Sequence, residues 1–411
     1  MSADTLAALS LLTPHAVRER AHRILEAGLA DRLEYFRIDL RRLEQAADFT
    51  GAITCAAYPS LEIPFHSRWR HFVVDGDDRW KTITETAHWP SVAARARAEF
   101  DLAIVSVLLD AGAGAIWRYR DGATGRDIGH SEGLALASLA MFRDGLFSAR
   151  SGDRLRADAS RLSEVTITAL IDGLQAGPNN PVPGIEGRAD LLRRLGRAAL
   201  EAPSVFATDD APRPGGLFDH LVRRAPDGRI AAATILTEVL KHLGPIWPGR
   251  IALGGVPLGD CWRHPAIRTG DATDQLVPFH KLSQWLTYSL IEPMERAGIA
   301  VIDVDALTGL AEYRNGGLLM DTGVLALRDQ AEGSRDHEVG STLVVEWRAL
   351  TVALLDRLAG LVRQSLGRDA RVLPLAKILQ GGTWAAGRAI ARQLRADGLP
   401  PLQVISDGTV F

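Results

Sequence analysis

Apolar residues return every three or four positions through most of this chain, the interval at which one helix face meets a core. Residues 4–43 carry that pattern with Arg, Glu and Asp on the opposite face, and Thr13-Pro14 reads as a helix start. A turn-rich stretch with Pro59, Pro64 and Gly76 follows. The spacing then predicts a buried helix over 92–109, closed by Gly112 and Gly114, and a polar loop over 123–129. His130-Ser131-Glu132-Gly133 opens a short apolar helix ending near Phe142, with Ser131 as its cap.

Helices are expected over 160–175 and 188–200, a Pro-Gly-Asp loop over 202–216, and a further helix over 230–243. After Pro245 the chain turns irregular, with a short strand at Arg250-Ile-Ala-Leu. The strongest helical patterns come last, over 276–296, 306–315, 341–366 and 374–396. No strand-helix-strand rhythm recurs and no Gly-rich phosphate loop sits between a strand and a helix, which argues against a doubly wound nucleotide fold. The expected class is mainly α with a few short strands. It forms a single compact, multi-lobed unit over 1–411, with sub-lobes 1–200 and 217–411 joined by the loop at 202–216.

Composition narrows the function classes. The 411 residues are 46% hydrophobic, enough for a large core, and 47 basic against 50 acidic residues are mixed without a polybasic run. Nucleic-acid binding is therefore not expected. Cys55 and Cys261 make neither a disulfide framework nor a Cys-x-x-Cys pair and read as small buried hydrophobes. Without a leader pattern or a long apolar window, the expectation is a cytoplasmic protein with no membrane partner. The eleven histidines form no His-x-His or His-Glu-x-x-His spacing, so neither a metal nor another cofactor is expected, and no nucleophile elbow is present.

Candidate chemistry lies where polar groups interrupt core-like sequence, because each costs several kcal/mol unless partnered or used. Phe279-His280-Lys281 and Gln284 break the apolar pattern at 276–296, and positions 281, 284, 285 and 288 share one helical stripe facing a cavity, another polar group or solvent. Glu312-Tyr313-Arg314 then follows an apolar run and precedes Gly316-Gly317, a pair suited to close backbone approach. Gly259-Asp260-Cys261-Trp262-Arg263-His264 is a second polar group, in irregular sequence. Phe65-His66-Ser67-Arg68-Trp69-Arg70-His71-Phe72 mixes rings and guanidinium groups, as suits a pocket that stacks a flat group and holds an anion, or a mixed surface strand.

These stretches together resemble one family, the uracil-catabolism proteins of the Urc4/Urg3 type. The resemblance runs through Phe65–Phe72, Ser131-Glu-Gly-Leu-Ala-Leu-Ala-Ser, Gly259–His264, Val277–Leu290, Leu307–Leu318 and the terminal Ser406-Asp-Gly-Thr-Val-Phe, nearly the whole chain. A more distant similarity is to queuosine-nucleotide N-glycosylases. There, an aromatic-Lys-x-Ala-Gln helix precedes Ala-Asp-Tyr-Arg at almost the separation of Phe279–Gln284 from Ala311–Arg314. Here Glu312 replaces Asp, Ser283 replaces Ala, Gly316-Gly317 replaces Pro-Gln, and the spacing is one residue shorter.

The resemblances imply a helical body like that of DNA glycosylases and an N-ribosyl hydrolase of uracil catabolism. It would act on a small phosphorylated ribosyl substrate, releasing urea from ribosylurea 5′-phosphate. They cast Glu312 as the catalytic carboxylate and Lys281 as the cation beside it, holding either that charge or the phosphate. Asp260, Glu132 or Asp321 would protonate the leaving urea. Arg314, His280 and Arg263 are phosphate candidates, and Trp69, Phe279 and Trp262 would wall the pocket, with Gln284, Tyr313, His264, His66, Arg68 and Ser131 as further substrate contacts. An amidohydrolase acting on the ring-opened nucleotide, or a non-catalytic partner of the ring-opening enzyme, stays open, as does the oligomeric state.

Overall fold

A computed structural model describes residues 1–110, 112–114, 116–247 and 250–405. The matched C-terminal segment 406–411 lies outside the described residues. The chain is mainly helical, with short two-stranded sheets, as the pattern predicts. Among the described residues, no helix is long and apolar enough to cross a membrane. The backbone gathers into two compact units. One comprises Met1–His66, 250–284 and Asp303–Ile405, the other 67–247 and Trp285–Ile302, so 202–216 falls inside the second.

The first unit is built on the Thr342–Leu366 helix, which packs against Pro14–Leu29 and Leu43–Ala57. Its sequence is apolar on nearly every side, and Val344, Leu350, Leu354 and Leu358 are fully buried. The side chain of Ser341 caps its start, and Gly367 takes the left-handed conformation at its end. Residues 4–43 are not one helical run. Ala3–Leu11 and Pro14–Leu29 are separate helices, the second capped by Thr13, and Phe36–Ile38 then forms a strand antiparallel to Leu325–Leu327. The buried Glu346 carboxylate takes the Tyr35 and Phe36 N–H groups and so secures the entry to that strand.

Two of the strongest helical patterns begin later than their apolar spacing predicts. Leu276–Pro278 is a strand paired antiparallel with Cys261–Arg263, and the helix runs only over Lys281–Arg296. Residues 304–306 form a single 3-10 turn, and the next helix is Tyr313–Asp321 instead of 306–315. In both cases a carboxylate that accepts backbone N–H groups sets the start, which hydrophobic spacing cannot reveal. The 374–396 pattern is interrupted by a π turn at Leu379–Thr383, where Gly382 lies too close to Thr50 and Thr54 to admit a Cβ.

In the second unit, Val92–Leu108 packs against His130–Arg143 and Gly216–Val222, and Ile185–Glu201 packs against Ala159–Ser163. The helix expected over 160–175 is divided because Thr166 caps a new one, Ile167–Gly173. Ser131 does not cap its helix, whose N-cap position is Gly129. Buried Asp101 takes the N–H groups of Ala157 and Gly215 and pairs with Arg213, tying the loop at 202–216 to the core. Arg229–Ala231 runs parallel to Ala300–Ile302 and leads into Ala232–Leu243. Cys261 is buried as expected, whereas Cys55 is exposed.

Candidate active site

In the first unit the Cys261–Arg263 and Leu276–Pro278 hairpin places Asp260 beside the start of the Lys281 helix. The Asp260 carboxylate accepts four hydrogen bonds. Arg348 reaches both oxygens at 2.8 Å, the Trp262 indole N–H donates at 2.7 Å, and the Lys281 backbone N–H at 3.0 Å. Burial alone would raise this carboxyl, but the Arg348 charge and the donated hydrogen bonds overcome it and hold it well below the usual carboxylate range. A carboxylate held this way keeps its charge and positions the helix start. It does not store a proton for a leaving group.

Arg348 does more than pair. Its guanidinium lies over the Phe279 ring at 4.2 Å and donates from Nε to the Ala311 carbonyl, one residue before Glu312. Phe279 and His280 donate their backbone N–H groups to the Asp260 carbonyl, and the His280 Nε2 reaches the Leu11 carbonyl at 3.0 Å. Gln284 is also spoken for: its amide N–H bonds to the Phe279 carbonyl and the Thr308 hydroxyl, and its oxygen accepts the Thr308 N–H at 2.9 Å. Apart from half-buried Lys281 the stripe is thus buried, and Gln284 fastens this helix to the segment leading into Glu312.

Glu312 is the N-cap of Tyr313–Asp321, and each of its oxygens accepts one backbone N–H at 2.7 Å, from Arg314 and Asn315. Glutamate is not among the favoured N-caps. One hydrogen bond on each oxygen leaves lone-pair capacity on both. Burial pushes the Glu312 carboxyl above its ordinary value, while the two N–H groups and the charges of Lys281 and Arg314 pull it back. The Lys281 charge therefore reaches Glu312. Arg314 stacks on the Tyr313 ring at 5.0 Å, and its buried Nε has no hydrogen-bond partner among the described residues.

Lys281 also acts on His66. That imidazole is buried, with Nδ1 bonded to Gln380 at 2.9 Å, and Trp384 lies 6.0 Å away, centroid to centroid. Burial holds the imidazole down to about 4, with the Lys281 charge working the same way against the Gln380 hydrogen bond. The group thus joins the Lys281 amine, a capped Glu312 carboxyl that burial pushes up, and an imidazole that is uncharged at neutral pH.

Other predicted residues stand apart from it. Arg263 is exposed. His264 is buried against Glu346, with its Nδ1 accepting the Ala266 N–H. Asp321 is held by both terminal nitrogens of Arg395 at 2.8 and 2.6 Å, and so is no free acid.

The second unit has its own polar group. Arg68 is fully buried, donating to the Ser106 hydroxyl at 2.6 Å and the Ser131 carbonyl at 3.2 Å, with Asp110 at 3.3 Å and the Trp285 ring at 5.5 Å. Glu132 contributes charge to this group. Trp69 is a core residue packed on Phe72 and Trp80, with its indole N–H on the Ser289 carbonyl.

Arg348, Glu346 and Gln380 are the residues that motif reading misses. The signal for two of them is present, since Glu346 and Arg348 are charges inside the apolar run Val344–Leu350. The same test that singles out 276–325 applies there.

Comparison with known proteins matches residues 10–411 to the family described as "Protein of unknown function (DUF1688)". Over the full length of both chains, this one is 37% identical to "Protein urg3" of Schizosaccharomyces pombe. It is 36% identical, over 92% of each chain, to "Uracil catabolism protein 4" of Lachancea kluyveri. On the strength of that near-complete family match, the chain belongs to the DUF1688 family.

Proposed function

We propose that this protein is an N-ribosyl hydrolase of uracil catabolism, cleaving ribosylurea 5′-phosphate to urea and ribose 5-phosphate on a helical scaffold of the glycosylase kind. The observation that carries the reading is the placement of Lys281 within electrostatic reach of Glu312, a buried carboxylate fixed by two backbone N–H groups. The relative named for uracil catabolism supplies the pathway.

Breaking an N-ribosyl bond builds positive charge on the anomeric carbon, and a pre-oriented carboxylate stabilises that charge without reorganising. Glu312 has this role, either facing the sugar or orienting the attacking water. Its ionised form must survive burial, and the two backbone N–H groups and then the Lys281 charge favour that form. The buried, unpartnered Nε of Arg314 is a donor for the 5′-phosphate. Asp260 and Asp321 are bound to arginines, and the Lys281 side chain, beside Glu312, is assigned to hydrogen-bond the departing urea oxygen.

The test is to incubate the purified protein with ribosylurea 5′-phosphate and measure urea and ribose 5-phosphate. Turnover is expected, with Glu312→Gln slower by about 100- to 1,000-fold. Failure of wild type to release both products would sink the assignment. Cleavage of an amide bond in a ring-opened uracil nucleotide, with the ribosyl bond left intact, would make the protein an amidohydrolase instead.

A further inference from the structure

The second unit also brings two imidazoles and a carboxylate together. His220 lies on Gly216–Val222, while Glu238 and His242 lie one turn apart on Ala232–Leu243. One carboxylate oxygen, Glu238 Oε2, is 2.6 Å from His220 Nε2 and 3.1 Å from His242 Nε2. The three ligand atoms lie within 4.8 Å of one another. The two imidazole rings are set nearly at right angles, 79°, with centroids 5.1 Å apart, so each turns a ring edge toward the same oxygen.

We propose that His220, Glu238 and His242 bind one divalent transition-metal ion of the zinc class, clipping Gly216–Val222 to Ala232–Leu243. Bond lengths near 2.0–2.1 Å at tetrahedral angles place ligand atoms roughly 3.3 Å apart, so the two contacts to Glu238 Oε2 open by less than an ångström while the two imidazole nitrogens stay within reach of one ion. Two imidazoles and a carboxylate select zinc, iron or nickel over calcium and magnesium, which take oxygen ligands.

The surroundings fit the same use. Arg224 Nε holds the other Glu238 oxygen at 3.1 Å and so orients the carboxylate with Oε2 toward the imidazoles. The His220, Glu238 and His242 side chains are 10%, 9% and 15% exposed, buried enough to hold an ion and open enough for it to enter with a water ligand. Without the ion, each ring donates Nε2–H to the shared oxygen. With it, each ring shifts to the Nδ1–H tautomer and offers its Nε2 lone pair, so no proton is lost from the pair. Arg224 cancels the Glu238 charge and Lys241 adds positive charge nearby, which sets the expected affinity in the micromolar range and not tighter.

The experiment uses the full-length chain stripped with a chelator. Zinc is titrated by calorimetry, stoichiometry is read by elemental analysis, and cobalt serves as a spectroscopic probe of the ligand geometry. One zinc per chain, a thermal midpoint that rises with free zinc, and a cobalt spectrum of low coordination number are expected. His242→Ala removes the most exposed ligand. It should weaken zinc binding by more than the roughly 10- to 100-fold that a change around the ligands costs. Circular dichroism of that variant establishes that it is folded. The proposal fails if the stripped wild type takes up no zinc at micromolar concentration, or if His242→Ala and Glu238→Gln bind it as well as wild type.

Discussion

Arg348 closes its two terminal nitrogens on the two oxygens of Asp260, each at 2.8 Å, and the pair sits where a strand hairpin meets the start of the Lys281 helix. Its strength comes from completeness: the indole of Trp262 and the Lys281 N–H occupy the carboxylate as well, and Phe279 lies under the guanidinium. Removing one partner strands a buried charge. Arg348→Met is expected to cost about 3–5 kcal/mol, and the double variant with Asp260→Asn distinctly less than the sum of the two single changes, read from urea unfolding midpoints. Independent, additive losses would show that the pair is not coupled.

Gln284 is predicted to matter for stability and not for substrate affinity. Its side chain is used up on Phe279 and Thr308, so Gln284→Leu leaves the buried Thr308 N–H without an acceptor. A loss of about 1–3 kcal/mol is expected in denaturant unfolding. The KM for ribosylurea 5′-phosphate should stay within about twofold, as for loss of a group that makes no ground-state contact with substrate. A large rise in KM with unchanged stability would restore Gln284 as a substrate contact.

The His66 imidazole gives the fold a pH dependence with a definite sign. Its pKa falls from 6.5 unfolded to about 4 folded, so between those values the unfolded chain binds a proton that the native chain does not. Stability from this group is complete above pH 6.5 and is lost progressively as pH falls toward 4, by up to about 3 kcal/mol. His66→Gln has no such proton to bind. Thermal midpoints measured from pH 4 to 7 should therefore fall more steeply with acid for wild type than for the variant; parallel curves would remove His66 as the source.

Gly316 faces the Trp347 indole so closely that an added Cβ would lie 2.6 Å from a ring carbon. Gly316→Ala should cost about 1–3 kcal/mol by overpacking. It should also lower activity, because the same helix carries the Glu312 cap one turn earlier. Gly317 has more room, with Pro401 at 3.2 Å as its nearest neighbour, so Gly317→Ala is the milder control. Equal midpoints for the two variants would contradict the packing.

The periodicity and the break in it at 276–325 were legible in the sequence. Apolar spacing located the buried helices over 92–109 and 341–366 to within a residue or two, because burial of one face or all faces dictates composition directly. Charged groups set into that spacing pointed to Lys281 and Glu312 for the same reason, since a buried charge is costly without a purpose. The starts of the helices at 281 and 313 were not legible, being fixed by side-chain oxygens of Asp260 and Glu312 on backbone N–H groups.

What the amino-acid order determined by itself was the helical class, the family and the pair of charges worth testing. Only tertiary structure decided which polar groups were already satisfied. Asp260, Gln284, His264 and Asp321 look as available in sequence as Glu312 does, yet Arg348, Thr308, Glu346 and Arg395 engage them from 24 to 88 positions away. His220 likewise reaches Glu238 from another helix. A hydrogen bond or ion pair across such distances leaves no periodic trace, because it depends on where two elements meet and not on the spacing within either.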